Sequence, residues 1–295
     1  MSKQDQLEWE ARWARPAAAA ALLAALLLVA QVILLQTVVE DRARTEPIPD
    51  FLLSVDENPA MLLGARGAQA VASLLLIGVF LYLFRAVQAR AGGVPSWFIY
   101  MIVAGPALYA VGLVLGAVGQ VDVANDFAAG EPIRGNPGDE RADRLLEDNA
   151  NAGVFALNFA GSVATAFLFV MLPLRARRVG LLSPFMGILG VVTGALLVLQ
   201  IVPLVPVIIE AFWLGALGTL YLGNWPGGRG PAWETGEAEP WPSAAQKRGL
   251  ASPPGAEQEQ GGSLLGPPEP EPDEEPSEPQ PVPERPSSRK RRRKR

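Results

Sequence analysis

Residues 181–223 run for 43 positions with a single charge, Glu210. An α-helix of about 20 apolar residues already crosses the hydrocarbon core of a bilayer. The run therefore predicts two crossings rather than one. Its natural corner is "VPLVPV" at 202–207, where Pro203 and Pro206 remove backbone donors and restrict the residues before them.

Four more apolar runs precede it. Residues 17–39, "AAAAALLAALLLVAQVILLQTVV", follow a short polar head carrying Lys3, Arg12 and Arg15. This run exceeds the apolar region of a cleaved signal peptide and ends in "VVEDRAR" without a small-residue cleavage pattern, so it reads as a retained span. The full set is about 17–39, 68–84, 97–119, 152–174, 181–202 and 204–223. The expected fold class is all-α: a polytopic transmembrane bundle of six spans, with the lipid bilayer as its first partner. Only 19% of the chain is charged, against about 25% in soluble domains, and the charges are gathered into blocks between the runs. The expected division is a head at 1–16, a transmembrane domain at 17–225 and a disordered tail at 226–295.

Arginine placement predicts the orientation. With the N-terminus inside, the loops 85–96 and 174–180 are cytoplasmic and hold five Arg in 19 residues with no acid. The loops 40–68 and 121–151 then lie outside, with six Arg in 60 residues beside 14 acids. Arg density sets topology, so both termini are expected in the cytoplasm. Trp9, Trp13, Tyr82, Trp97, Tyr100, Tyr221 and Trp225 fall near the inner boundary, where amphipathic rings prefer to sit.

Residues 226–295 hold 15 of the 27 prolines and little aliphatic content. Such a segment buries too little apolar area to offset its ordering entropy. It closes with seven consecutive cations: Arg289, Lys290, Arg291, Arg292, Arg293, Lys294 and Arg295. Each gains about 1 kcal/mol near an anionic inner leaflet, less whatever the acids just upstream compete away. Anionic lipid headgroups are the expected partner. RNA or another polyanion is the alternative, although the run lacks the interleaved aromatics of a base-stacking surface. A solvated tail that only enforces topology is the plainest reading.

The sequence has no cysteine and no histidine, which removes disulfides, thiolate nucleophiles, imidazole bases and the usual zinc sites. No Walker loop, zincin helix, nucleophile elbow or dinucleotide fingerprint appears. No cofactor, metal or enzymatic activity is expected. Glu210 is the one carboxylate inside an apolar run; intramembrane acids are costly and are functional candidates by default. Its position about one turn after Pro206 also suits a carboxylate at a helix N-terminus, snorkelling outward. Asn158, Ser162 and Thr165 are spaced i, i+4, i+7 and share one helical face. They fit hydrogen bonds between helices or a polar pathway. A small-solute or ion transporter using Glu210 and the Asn158 face is thus the alternative to a lipid- or partner-binding membrane protein.

Gly112-x-x-x-Gly116 and Gly190-x-x-x-Gly194 predict close helix packing. "DERADRLLEDNA" offers Glu140–Arg144 and Arg144–Asp148 at i, i+4, which suits a short exposed helix. With an 88-residue offset, 90–108 overlays 178–196 through Arg90/Arg178, Gly92/Gly180 and Val103/Val191, as a duplicated hairpin would.

At "RARRVGLLSPFMGILGVVTGALLVL" and "FWLGALGTLYLGNWPGGRGPAWETGEAEPWPSA" the chain resembles uncharacterised multi-pass membrane proteins of high-GC bacteria, within a wider family of membrane domains of unknown function. Arg outnumbering Lys 21 to 4 agrees with GC-rich coding. The resemblance covers about 152–245. It implies an integral bundle in a bacterial plasma membrane and carries over no catalytic or binding residue.

Overall fold

The computed structural model describes residues 2–39, 47–93, 95–130, 136–199, 205–226 and 228–242. These are helical and contain no strand. In order the helices are α1 Lys3–Val39, α2 Pro47–Glu57, α3 Pro59–Arg90, α4 Phe98–Ala128 and α5 Asn136–Asp148. Then come α6 Ala152–Arg178, α7 Pro184–Leu199, α8 Val205–Tyr221 and the single turn α9 Pro231–Thr235.

Four of them, α1, α3, α4 and α6, are long and apolar enough to cross a membrane. Helices α7 and α8 are apolar but shorter, roughly 24 and 26 Å at 1.5 Å per residue. Neighbours close a ring: α1 packs on α3, α3 on α4, α4 on α6, α6 on α7, α7 on α8, and α8 back on α1. Phe80, Phe169 and Trp213 fill its middle, with Phe80 edge-on to Phe169 at 5.0 Å and Phe169 edge-on to Trp213 at 5.3 Å. Large apolar side chains such as Leu26, Leu74, Val111, Phe155, Ile188 and Phe212 point out of the ring. An exterior like this suits acyl chains and not water.

Lipid tails are as apolar as leucine, so helices within a bilayer associate through close backbone approach and not through expulsion of water. The glycine pairs serve that end. A Cβ on Gly112 would come 2.7 Å from Asn158 Cα, and one on Gly190 would come 2.7 Å from Pro173 Cβ. Gly161 adds a third contact, against the backbone of Tyr109. Helix α6 stops in a Schellman turn. Leu181 N donates to Ala176 O (2.9 Å) and Gly180 N to Arg177 O (3.1 Å), with Gly180 left-handed at φ 78°. Glu239 O crosses directly over Gly180, where any side chain would collide.

Several expectations change. The head at 1–16 is no separate element: α1 begins at Lys3, and Glu10 and Ala14 are buried. The loop expected at 40–68 contains α2 and the first turns of α3, and the loop at 121–151 contains the end of α4 and α5. Leu52, Val55, Leu62, Val123, Phe127 and Ala142 form a small second core there. Amphipathic segments too short to span a bilayer have folded onto one another. The short helix expected at "DERADRLLEDNA" is α5, and of its two expected pairs Glu140–Arg144 is present, at 3.3 Å. Pro206 lies in the first turn of α8, whereas Pro203 lies outside the described residues.

The largest revision concerns the tail. Chain order does not end at 225; the packed unit runs to Trp241. Segment 228–241 folds back across the end of the ring where the chain starts, here termed the proximal end. Trp233 is buried, stacks on Tyr82 (5.7 Å) and donates its indole N–H to Leu181 O (2.9 Å). Beneath it the Arg90 guanidinium holds both Glu10 carboxylate oxygens (2.5 and 2.9 Å) and donates twice to Ala232 O (2.9 and 2.7 Å). Lys3 reaches Glu237 at 2.8 Å. That bond holds the Glu237 carboxyl below the usual carboxylate range. Tyr82 and Tyr221, expected at the boundary, are core residues, because the returning segment covers them. A Pro-rich stretch can order when tryptophan supplies the apolar area its other residues lack. The tail from 243 onward, including Arg289–Arg295, lies outside the described residues.

Candidate functional site

The opposite, distal end carries a cleft of ≈ 950 Å³ between α4 and α6, floored by α3. Its origin lies in a glycine stripe on α4. Gly112, Gly116 and Gly119 are spaced i, i+4, i+7 and share one face. Gly112 is used for contact with Asn158, but a Cβ on Gly116 would meet only Val154, at 4.0 Å, and one on Gly119 would meet nothing within 4 Å. Helices α4 and α6 therefore touch at Gly112 and leave space towards the distal end.

Polar side chains enter this space from three helices and the turn before α6. Arg66 of α3 and Tyr109 of α4 line it, together with Gln120, Asp122, Asn151 and Asn158. Asn151 caps α6, accepting from Gly153 N (3.0 Å) and Val154 N (3.1 Å), so the first donors of that helix are already satisfied. The inner wall is a chain of three groups. Arg66 Nη1 donates to Gln69 Oε1 (3.2 Å), and Gln69 Nε2 donates to the Tyr109 hydroxyl oxygen (3.2 Å). Among the described residues no carboxylate lies within ion-pair distance of Arg66. Gln120 Oε1 is buried without a hydrogen-bond partner. A buried polar atom left unpaired costs about 1–3 kcal/mol, which a bound donor would remove.

Glu210 does not line the cleft. It is the sixth residue of α8 and only 8% exposed, so it does not snorkel to the surface; α8 turns its acid into the ring. Tyr109, itself 8% exposed, lines the cleft and is within electrostatic reach of the carboxyl. Gln31 of α1, 2% exposed, has an unpartnered Oε1. Ala18 and Leu22 pack on Gly218.

The expected Asn158 face divides. Asn158 lines the cleft. Ser162 is buried and returns its hydroxyl to Phe159 O of its own helix (2.9 Å), and Thr165 Oγ1 is buried without a partner. Neither makes the interhelical bond that their spacing suggested, because α6 approaches α4 through Gly105 and Gly161 and leaves no room for bridging side chains. The structure thus joins Asn158 to the cleft and buries Glu210 apart from its lining, while Ser162 and Thr165 stay in the helix contact.

Sequence reasoning passed over Arg66, Tyr109, Gln120 and Asp122. A signal was present: Arg66 and Gln69 are spaced i, i+3 at the start of an apolar run, and Gly119 extends the Gly112-x-x-x-Gly116 stripe. No family model, curated protein or solved structure matches the chain. Its own geometry has to carry the functional reading.

Proposed function

We propose that the chain is a multi-pass protein of a bacterial cytoplasmic membrane, with six crossings and both termini inside, that takes up a small solute or ion through the distal cleft. It acts by binding and passage, not by catalysis, with Tyr109 as the barrier and Glu210 as the buried acid beyond it. The supporting observation is the cleft: ≈ 950 Å³ lined by Arg66, Tyr109, Asn158 and other polar groups, in helices otherwise apolar. Polar groups gathered in a cleft between apolar helices are candidates for binding ligands or ions.

Six crossings are supported by α7 and α8 completing the ring, since short helices are accommodated by local bilayer thinning. Even parity is supported by the contact of Lys3 with Glu237, and the inward direction by the Arg density of 85–96 and 174–180.

The sequence has no cysteine, so a single introduced thiol reports without background. Asn158→Cys should react with a membrane-impermeant maleimide added outside intact cells. Gly215→Cys, whose side chain would emerge into open space on α8, should not. Equal inertness of the two thiols would remove the cleft from consideration.

A second reading is supported by the run Arg289–Arg295, which suits anionic lipid headgroups at the inner leaflet. The packed unit runs to Trp241, and the run Arg289–Arg295 follows in the 54 residues from Pro242 to Arg295. Deletion must therefore begin at 243, because a cut at 226 would also remove Trp233 and the Ala232 carbonyl. The full chain should sediment with anionic liposomes more than the 243–295 deletion does, with the difference shrinking in salt. Equal sedimentation would dismiss the tail.

A further inference from the structure

We propose that the occupant of the cleft is an anionic amphiphile, its acidic headgroup on Arg66 and its apolar chain along the flank of α4 and α6. This rests on the cleft being a binding site and adds the class of its ligand.

Arg66 is the first observation. Its guanidinium has five N–H donors, and Gln69 Oε1 is the acceptor that meets it among the described residues. The acidic lining residue Asp122 stands elsewhere. Gln69 meets Tyr109, and Ser73 Oγ donates to Pro106 O, so α3 and α4 run antiparallel and Arg66 comes level with about residue 112. Asp122 is ten residues further along α4, roughly 15 Å towards the distal rim. It is exposed and leaves the cation at the base uncompensated. A guanidinium in low-dielectric surroundings pairs best with a phosphate or carboxylate, which its planar fork can grip with two bonds.

The second observation is where the cleft opens. Leu115, Val118 and Phe155 line it. They are also 46, 46 and 72% exposed on the outer flank of helices long enough to span a membrane. Phe155 stacks on Phe159 with planes 7° apart at 6.1 Å, giving one side a flat apolar wall. The opening thus continues from the polar helix ends down an oily side. A purely hydrophilic solute would leave that side unmatched; a molecule with an anionic head and a hydrocarbon chain matches both. Gly116 and Gly119 supply the width for the chain.

Native mass spectrometry of the full chain, released from neutral detergent after titration, counts retained molecules directly. The probes are phosphatidylglycerol, phosphatidylcholine and inorganic phosphate. Phosphatidylglycerol held by the cationic tail is stripped by salt, whereas one molecule in the cleft should remain. Its occupancy should fall roughly tenfold or more in Arg66→Gln, the loss expected for one charge-assisted pair. It should return only in part in Arg66→Lys, which keeps the charge and loses the fork, and be blocked in Gly116→Leu, which fills the cleft and leaves Arg66 in place. Gly116→Leu decides the matter should Arg66→Gln fail to fold.

Salt-resistant retention unchanged in Arg66→Gln would overturn the proposal, as would equal retention of phosphatidylcholine. Inorganic phosphate displacing the lipid one for one would assign the site to a free anion instead. Loss of all lipid retention while Asn158→Cys still reacts would leave the cleft as a binding site and remove only the amphiphile.

Discussion

Arg90 and Arg66 lie towards the two ends of α3, and their surroundings are opposite. Arg90, with its side chain fully buried, meets two oxygens of Glu10 and the Ala232 carbonyl, under the ring of Trp233. Arg66 borders an open cleft and has the amide of Gln69. A buried cation whose donors are all answered acts as structure: it joins α1, α3 and the returning segment into one closed end. A cation answered by a single neutral acceptor keeps capacity for something else. Residue type is the same in both places, and the partners decide the role.

The contrast breaks most visibly at the closed end. Arg90→Met should lower stability by about 3–5 kcal/mol, because Glu10 is left as an uncompensated buried charge. Adding Glu10→Leu should recover most of that loss, as apolar replacement of both members often does. Thermal unfolding of the purified variants in detergent is the measurement. A single variant as stable as the parent would show that the pair bears no weight.

Trp233→Ala comes next, at about 3 kcal/mol for truncating a buried aromatic. It should also expose the chain beyond Tyr221 to limited proteolysis, since the indole tethers that segment to Leu181. Cleavage no faster than in the parent would mean that other contacts hold the segment down.

At the open end the expected sign reverses. Arg66→Gln should leave the melting temperature unchanged or raise it, because it removes a poorly compensated charge and no ion pair. A loss comparable to that of Arg90→Met would erase the distinction drawn between the two ends.

The smallest effect belongs to Lys3 and Glu237, both exposed. The Glu237 carboxyl is lowered by its bond to Lys3. Its contribution is therefore present above the unfolded value of about 4.3 and lost as pH falls through the lower folded value. Any difference in melting temperature between the parent and Glu237→Gln should be near the limit of detection at neutral pH and vanish in acid. A difference that grows on acidification would contradict the sign.

Much of the architecture was legible along the chain. Long uncharged runs need helices, since an unsatisfied backbone group in hydrocarbon is too costly, and the four long helices fall on the runs beginning near 17, 68, 97 and 152. The Gly112 and Gly190 contacts were legible too, because a missing side chain on an apolar helix admits a neighbouring backbone. Less was legible at the ends. Helix α5 was marked by the charge spacing of "DERADRLLEDNA", but α2 hides in an acidic segment whose few apolar residues count only once they meet their neighbours. Trp233 lies in a Pro- and Gly-rich stretch that local composition marks as unfolded, and its burial depends on Tyr82, which is 151 positions away in the chain.

Periodicity and hydropathy are local sums, so the helicity of this chain, the places of its apolar runs and the acid set among oily residues could all be read along it. Whether a buried charge has a partner depends on residues that approach only when the ring closes. Glu10 lies 80 positions from Arg90, and Gln69 lies 40 from Tyr109. Tertiary structure alone decided that one arginine of α3 is sealed in a closed end and the other left facing an open cleft, because charge compensation is a property of neighbours in space.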